Sequence, residues 1–413
     1  VIIFARVKEE MTKGKSVRNS LKAGFHKAMS AIVDGNVTTL IAAAVLWFRG
    51  SGSVKGFAQT LAIGIIVSMF TALVITRMIV YAFYAVGIRS EKLYYRPKKP
   101  REPINFVGRK AIFFAISLIL IAAGFGVAGY NAARGNGAMN YSLEFQGGTS
   151  TNVTFDQDYT IDEIDAQIIP VVEEATGDHN VQAQKVEGSN QIIFKTSTLD
   201  LDAREALDQA LVDNFQVDES LITFENISST VSSEMRTDAI VAVAIATVLM
   251  LLYIWFRFKD IRFATSAVLA LLHDVLIVAL FYAVARISVG NTFIACILTI
   301  FGYSINATIV IFDRIREELK LAPKGQDLAY TVNKSITQTL TRSIYTSLTT
   351  FITIAVLFVM GVSSIREFAL PLMVGVVCGA YSSVCVTGPL WYVMKTKIGG
   401  KKKEAEKSGK KKK

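Results

Sequence analysis

The sequence predicts a polytopic α-helical membrane protein carrying one small α+β domain between its spans. Three observations lead there. Hydrophobic residues make up 52% of the 413, and the mean hydropathy of +0.41 comes with several apolar runs near membrane-crossing length, which excludes a single soluble domain. The charge is divided by region: residues 131 to 236 hold five Lys/Arg against nineteen Asp/Glu, a net of −14, leaving +24 on the remainder. An internal repeat relates the first ninety residues to the last hundred.

Taken in order, the chain opens on an apolar stub, Val1 to Phe4, without a positively charged leader, so the N-terminus reads as a cut within a longer polypeptide. A polar segment with Arg6, Lys8, Lys13, Lys15, Arg18, Lys22 and Lys27 follows and reads as a cytoplasmic connector. Apolar runs near 31–48 and 56–83, joined at Gly50-Ser51-Gly52-Ser53, predict a transmembrane hairpin, and residues 1–88 form one membrane unit. Residues 89–110, basic and broken by Pro97, Pro100 and Pro103, predict a cytoplasmic linker. A span at 111–130 delivers the chain to the far side.

There, residues 131–236 change period. Tyr141 to Phe145, Ser150 to Phe155, Val181 to Val186, Gln191 to Lys195 and Leu221 to Ile227 have strand character, and Ile161 to Glu174 and Leu201 to Phe215 have helical spacing. The order β-β-α-β-β-α-β contains a split-βαβ pattern of the ferredoxin-like kind. Five further spans fill 237–396, near 238–256, 263–287, 290–312, 338–361 and 367–394. Their loops alternate in charge so that both large basic loops and the Lys-rich tail, 397–413, fall on the cytoplasmic side. Basic residues that flank spans need no nucleic acid to explain them. Cys296, Cys378 and Cys385 lie in apolar runs without metal-ligand spacing, so neither a metal nor a cofactor is expected, and no enzymatic chemistry is indicated.

The repeat is visible residue by residue. Val1 to Glu10, VIIFARVKEE, matches Ile309 to Glu318, IVIFDRIREE, in character at every position except Ala5, which stands opposite Asp313. At an offset of 311, Thr38-Thr39 pairs with Thr349-Thr350, Val45-Leu46 with Val356-Leu357, Gly50 with Gly361, and Phe57-Ala58 with Phe368-Ala369. The same offset pairs Gly64 with Gly375 and Ser68 with Gly379, placing a small-xxx-small packing motif in both last spans. Copies of equal topology predict a pseudo-twofold axis along the membrane normal, with a transport seam between them.

Polar residues gather at one depth. At a 1.5 Å rise, Asn306 and Ala307 lie about 26 Å from the far end of their span, Arg342 about 28 Å, Asp34 about 24 Å and Asp274 about 20 Å. Ionisable groups at such depths are costly unless paired or hydrated, so each is a site candidate. Asp274 and Arg342 have opposite charge and are candidates to neutralise one another. Arg342 and Asp34 have a second option, snorkelling to the headgroups. Asp313, Arg314 and the acidic pair after them read as an interfacial helix exit.

The motifs GYSINATIVIFDRIREE at Gly302, LLHDV at Leu271, FRFKDIRFA at Phe256, FQGGT at Phe145 and TQTLTRSIYTS at Thr337 together resemble SecF, and the first ninety residues resemble the C-terminal end of SecD. The resemblance to a SecD–SecF fusion covers nearly the whole chain. It implies an RND-type membrane fold and an accessory subunit of the Sec translocase in the bacterial cytoplasmic membrane, using the ion gradient, usually protons, to promote preprotein export. Its implied partners are the SecYEG translocon, SecA, YajC, the unfolded preprotein and membrane lipids. Residues 131–236 would be the external domain of SecF, with Gly147 and Gly148 in its motif. In that family a membrane carboxylate in the SIND motif and an arginine in the next helix carry ion coupling. The arginine maps onto Arg342; the carboxylate maps onto Ala307, whose methyl group cannot carry a proton. Coupling then falls to a SecD-side carboxylate before Val1 with Arg342 as partner, or to Asp274, or is lost at Ala307. An RND exporter of small molecules or lipids, and a non-transporting scaffold for translocon partners, are the competing functions.

Overall fold

The computed structural model describes residues 2–50, 52–95, 101–134, 137–179, 181–186, 188–323, 325–361 and 363–398. The Lys-rich tail from 401, Ser51 and the prolines at 97 and 100 lie outside these. Among the described residues, eight helices have the length and apolar composition to cross a membrane. Following the short helix α1 (Ile2–Thr12) come α2 (Val17–Arg49), α3 (Lys55–Ala85) and α4 (Lys110–Ala133). Then, beyond a sheet carrying helices α5 (161–176) and α6 (Leu201–Phe215), come α7 (Ser229–Phe258), α8 (Ile261–Ala285), α9 (Asn291–Leu321), α10 (Leu328–Met360) and α11 (Ile365–Lys397).

The polar segment read as a connector is helical instead. Val17, Ser20, Leu21, Gly24 and Phe25 form a buried stripe that extends α2 well before its apolar run, while Arg18 and Lys22 face out. Periodic burial outweighs polarity here, because α1 packs on that stripe so closely that a Cβ on Gly24 would strike the backbone of Val7. The end of the linker is docked too: the amides of Ile104 and Val107 donate to Thr337 Oγ1 and Asn333 Oδ1, both at 2.9 Å.

The strands between α4 and α7 are β1 (Asn140–Tyr141), β2 (Gly148–Thr154), β3 (Gln182–Lys185), β4 (Gln191–Thr196) and β5 (Ile222–Ile227). Four of them make an antiparallel sheet in the order β3-β4-β2-β5. β4 is inserted between β2 and β3, which α5 connects, giving the split-βαβ arrangement. Alternate residues of β4, Ile192, Phe194 and Thr196, point inwards, where the first two meet Val153, Ile168, Val172, Leu207 and Leu211. The expected strand from Tyr141 to Phe145 is corrected to two residues followed by a helical turn, Leu143–Gln146. β1 leaves the sheet to pair in parallel with β6 (Ser288–Val289), at the far end of α8. Gly147 and Gly148 follow that turn at φ 79° and 136°, a region L side chains rarely enter, and a Cβ on Gly148 would collide with the carbonyl of Thr196.

Among the spans α9 is the axis: 78% of its apolar window is enclosed, against 11% for α3, α4 and α10. Phe258, Phe263, Phe312 and Trp391 lock α7, α8, α9 and α11 together at the basic-loop end, with Phe263 stacked on Trp391 at 4.7 Å. The repeat persists in backbone detail. α2 and α10 end on Gly50 and Gly361 in the same extended conformation, their amides bonded to Leu46 and Leu357. π-helical turns interrupt both last spans at the 311 offset, Thr71–Ile75 and Ser382–Thr387. Gly375 packs on Ile300 and Gly379 on Ser304, but Gly64, assigned the same role, meets nothing within 4 Å. The face of α3 that carries Gly64 is turned outwards among the described residues.

Candidate functional site

α9 carries polar residues on two opposed faces, and the layer of polar positions divides accordingly into two clusters. On the first face Asn306 fills the space beside Gly35 of α2, where any Cβ would strike its side-chain oxygen, and Gly302 makes the same close approach to Thr39. Next to Gly35, Asp34 is a gathering point: Arg257 Nε donates to Oδ2 at 2.6 Å, the Tyr253 hydroxyl to Oδ1 at 2.9 Å and the Ser30 hydroxyl to Oδ2 at 3.3 Å. Arg257 also reaches Ser30 Oγ at 2.9 Å and Asp313 Oδ1 at 3.5 Å. The cluster therefore joins α2, α7 and α9 through one guanidinium shared by two carboxylates. The Asp34 side chain is 12% exposed, and its partner Arg257 stands in the last turn of α7.

On the other face, Asp274 of α8 is fully buried. Ser304 of α9 and Ser382 of α11 donate to its Oδ2 at 2.5 and 2.7 Å, and the Cys378 thiol to Oδ1 at 3.2 Å. Its own neighbour His273 lies with Nδ1 2.9 Å from Oδ1. The π turn of α11 begins at Ser382; such a turn re-aims a side chain relative to the helix before it. His273 Nε2 continues to Ser117 Oγ of α4 at 2.9 Å. The donor atoms of His273, Asp274 and Cys378 fall within 4.8 Å of one another, a proximity absent from their spacing in sequence, but here they are spent on hydrogen bonds to each other.

The pairing of Asp274 with Arg342 does not occur. Asp274 makes no ion pair with Lys or Arg among the described residues, and Arg342 stands apart on α10, its Nη2 buried without a hydrogen-bond partner. Its charged neighbours are Arg6, Asp313 and Glu9. Ala307 is half-buried beside Asn306 on α9.

At the basic-loop end the two repeat copies clasp each other. Arg6 bonds Glu317 at 3.3 Å and Arg314 bonds Glu9 at 3.0 Å, while Arg6–Glu9 and Arg314–Glu317 close the ring at 2.7 and 2.9 Å. The cross pairs are reciprocal, as two-fold related copies require. One position on, Glu10 is buried under Lys15, Lys27 and Lys13 at 2.5, 2.7 and 3.0 Å, and these ammonium groups hold its carboxyl down to about 2. A depressed carboxyl contributes stability that is complete above its ordinary value of about 4.3 and is lost as pH falls through about 2. Acidification from pH 5 to 2 is thus expected to free α1 from α2 before the membrane helices open, read as faster amide exchange in α1, with Glu10→Gln giving the same loosening at pH 7.

The sequence singles out Asp34, Asp274, Arg342 and Asn306, of which the structure places Asp34 and Asp274 in hydrogen-bonded clusters; it gives no sign of Arg257, Tyr253, Ser304, Ser382 and Cys378 as their partners. Arg257 had been placed in a loop, and serines are too common in membrane helices to stand out.

The description "Protein export membrane protein SecD/SecF, C-terminal" fits residues 1–86 and 207–397 of this chain. The chain is 34% identical over 395 residues to the protein translocase subunit SecDF of Brucella abortus, covering 94% of this chain and 50% of that protein. Over 294 residues it is 35% identical to protein translocase subunit SecF of Petrotoga mobilis, covering 70% of this chain and 94% of the relative. The crystal structure of SecDF from Thermus thermophilus, described as a translocon-associated membrane protein, superposes with a TM-score of 0.81 at 34% identity, over 96% of this chain and 52% of that one. The hedgehog release protein Disp of the water bear Hypsibius dujardini shares the fold alone, with a TM-score of 0.54 at 10% identity, over 95% of this chain and 61% of that one. The chain spans about half the length of the SecDF relatives it matches.

Proposed function

Because this chain belongs to the SecD/SecF family of protein export membrane proteins, we propose that it serves the Sec translocase as an accessory subunit that draws on the transmembrane ion gradient to promote preprotein export. The observation that carries ion coupling is Asp274: a carboxylate at zero exposure in mid-span, met by three side-chain donors and an imidazole and by no Lys or Arg among the described residues. An ionisable group without an opposite charge is costly in a membrane, which makes it the candidate for a site that takes up and releases an ion. With a methyl group at position 307 the SIND carboxylate is missing, and Asp274 takes its place as the exchanging group, while Arg342 supplies the charge that responds to it.

In this reading the basic loops face the cytoplasm, and residues 131–236 face outwards, where the segment around Gly147 and Gly148 meets the emerging preprotein. The SecYEG translocon, SecA and YajC are its expected partners. The chemistry is transport, with no bond made or broken in a substrate.

The test is proton flux in proteoliposomes that hold the protein with a SecD half supplied in fusion or in trans, with and without an unfolded preprotein engaged in the translocon. Flux that rises with the preprotein supports the reading. Normal complex formation with no flux under either condition would replace it with the scaffold, the role that Ala307 favours.

A further inference from the structure

We propose that His273 and Asp274 bind the coupled ion as one proton held between imidazole and carboxyl, with the hydroxyl of Ser117 reversing direction as that proton comes and goes. The inference rests on Asp274 as the coupling group and adds the identity of the ion and of the residue that exchanges it.

Donor and acceptor bookkeeping leads to it. The Tyr381 hydroxyl donates to the carbonyl of Phe113 at 2.7 Å, so toward Ser117, 3.5 Å away, it can only accept. Ser117 has one proton for two neighbours, Tyr381 at 3.5 Å and His273 Nε2 at 2.9 Å; in the loaded arrangement it goes to Tyr381, and the Ser117 oxygen accepts from Nε2–H. A neutral imidazole has one N–H, so Nδ1 is then bare and faces Asp274 Oδ1 at 2.9 Å. Two lone pairs do not share that distance. In that arrangement a proton lies between them, as carboxylic acid against imidazole or carboxylate against imidazolium, and both forms are neutral overall.

Release is balanced without any other reactant than water. The carboxyl O–H breaks as Nδ1–H forms, and the Nε2–H passes to water. Asp274 is left as a carboxylate with four donors: Nδ1–H of His273, the hydroxyls of Ser304 and Ser382, and the thiol of Cys378. Nε2 is now bare, so the Ser117 hydroxyl turns to it and abandons Tyr381. Both states are satisfied at the dyad, as a site that must load and unload requires. What changes between α4 and α11 is the Ser117–Tyr381 contact, while Tyr381 keeps its bond to the Phe113 carbonyl. A sodium ion would have no use for this tautomer change. The row also has a direction: along α4, Ser117 lies about 10 Å and Phe113 about 5 Å from Lys110 at the basic-loop end, so the polar path runs from mid-span toward that side. The titratable groups facing the dyad are Cys378 and Tyr381 of α11; α4 and α9 contribute the hydroxyls of Ser117 and Ser304.

Proton flux is measured, in the same proteoliposomes, for Asp274→Asn, His273→Gln, Ser117→Ala and Tyr381→Phe. Loss of flux in D274N, a fall of at least about tenfold in H273Q, and a shifted pH midpoint of the flux in S117A and Y381F are expected. Flux in H273Q within twofold of the unaltered protein, beside a dead D274N, overturns the proposal and leaves the Asp274 reading standing. Normal flux in D274N overturns both. A D274-dependent flux driven by sodium instead of protons also overturns the proposal. Infrared difference spectra of the unaltered protein across a pH titration decide independently of whether H273Q folds. The Asp274 carboxyl band, assigned by its loss in D274N, is expected to change together with the imidazole bands; a carboxyl that titrates while the imidazole bands stay fixed excludes the dyad.

Discussion

Arg257→Ala is expected to destabilise the helix bundle by about 3–5 kcal/mol, the range for removing one partner of a buried ion pair. The guanidinium is shared by Asp34 and Asp313, whose side chains are 12% and 18% exposed, so its loss strands two carboxylates in the same poorly hydrated space at the junction of α2, α7 and α9. Removing Asp34 instead is milder, because Arg257 keeps Asp313. This asymmetry makes the claim specific. Arg257→Met combined with Asp34→Asn is expected to recover a large part of the loss, since the Tyr253 hydroxyl still has an oxygen to bond and one buried charge has gone, and the double-mutant cycle should give a coupling of about 1–3 kcal/mol. Thermal unfolding in detergent reads both. A loss below about 1 kcal/mol in Arg257→Ala, or no relief from Asp34→Asn, would show that water reaches the cluster and that the helices are joined by packing alone.

What the sequence disclosed follows the range of the signals involved. Membrane spans announce themselves because each is a contiguous apolar window, and the sheet between α4 and α7 because β4 alternates faces over six residues. The repeat was legible to the level of helix caps: the Gly50 and Gly361 pairing at offset 311 returns as two identical helix ends. Where the reading failed, the cause was non-local. Ser304 and Ser382 reach Asp274 from 30 and 108 residues away, and Arg257 reaches Asp34 from 223; no window contains both ends of such a bond. Counting depth along each span put Asp34, Asp274, Asn306 and Arg342 in one layer but carried no information on azimuth, and azimuth assigns Asp34 and Asp274 to opposite faces of α9. Tyr141 was misjudged for a related reason: its two-residue strand is completed by Ser288 and Val289, not by its neighbours in the domain.

Azimuth also leaves Arg342 without the acidic partner that opposite charge suggested, and this sets the second large effect. If the proposed gradient-driven role holds, Arg342→Leu is expected to reduce export to the level seen without a gradient while leaving the melting temperature unchanged or raising it by about 2–4 °C. A buried donor without a partner, as at Nη2, costs about 1–3 kcal/mol, so exchanging the guanidinium for an aliphatic side chain removes a penalty that the folded state carries. On the proposed coupling role, the guanidinium would meet a carboxylate in another arrangement of α10, and Asp313 and Glu9 are the acidic neighbours that it already faces. Arg342→Lys separates charge from shape: an ammonium lacks the planar fork that grips a carboxylate with two bonds, so export partway between the unaltered protein and Arg342→Leu is expected. Export that survives Arg342→Leu would remove the residue from coupling. A melting temperature that falls by several degrees would make it a structural anchor, and the unpaired Nη2 would then be balanced by packing of the Arg342 stem.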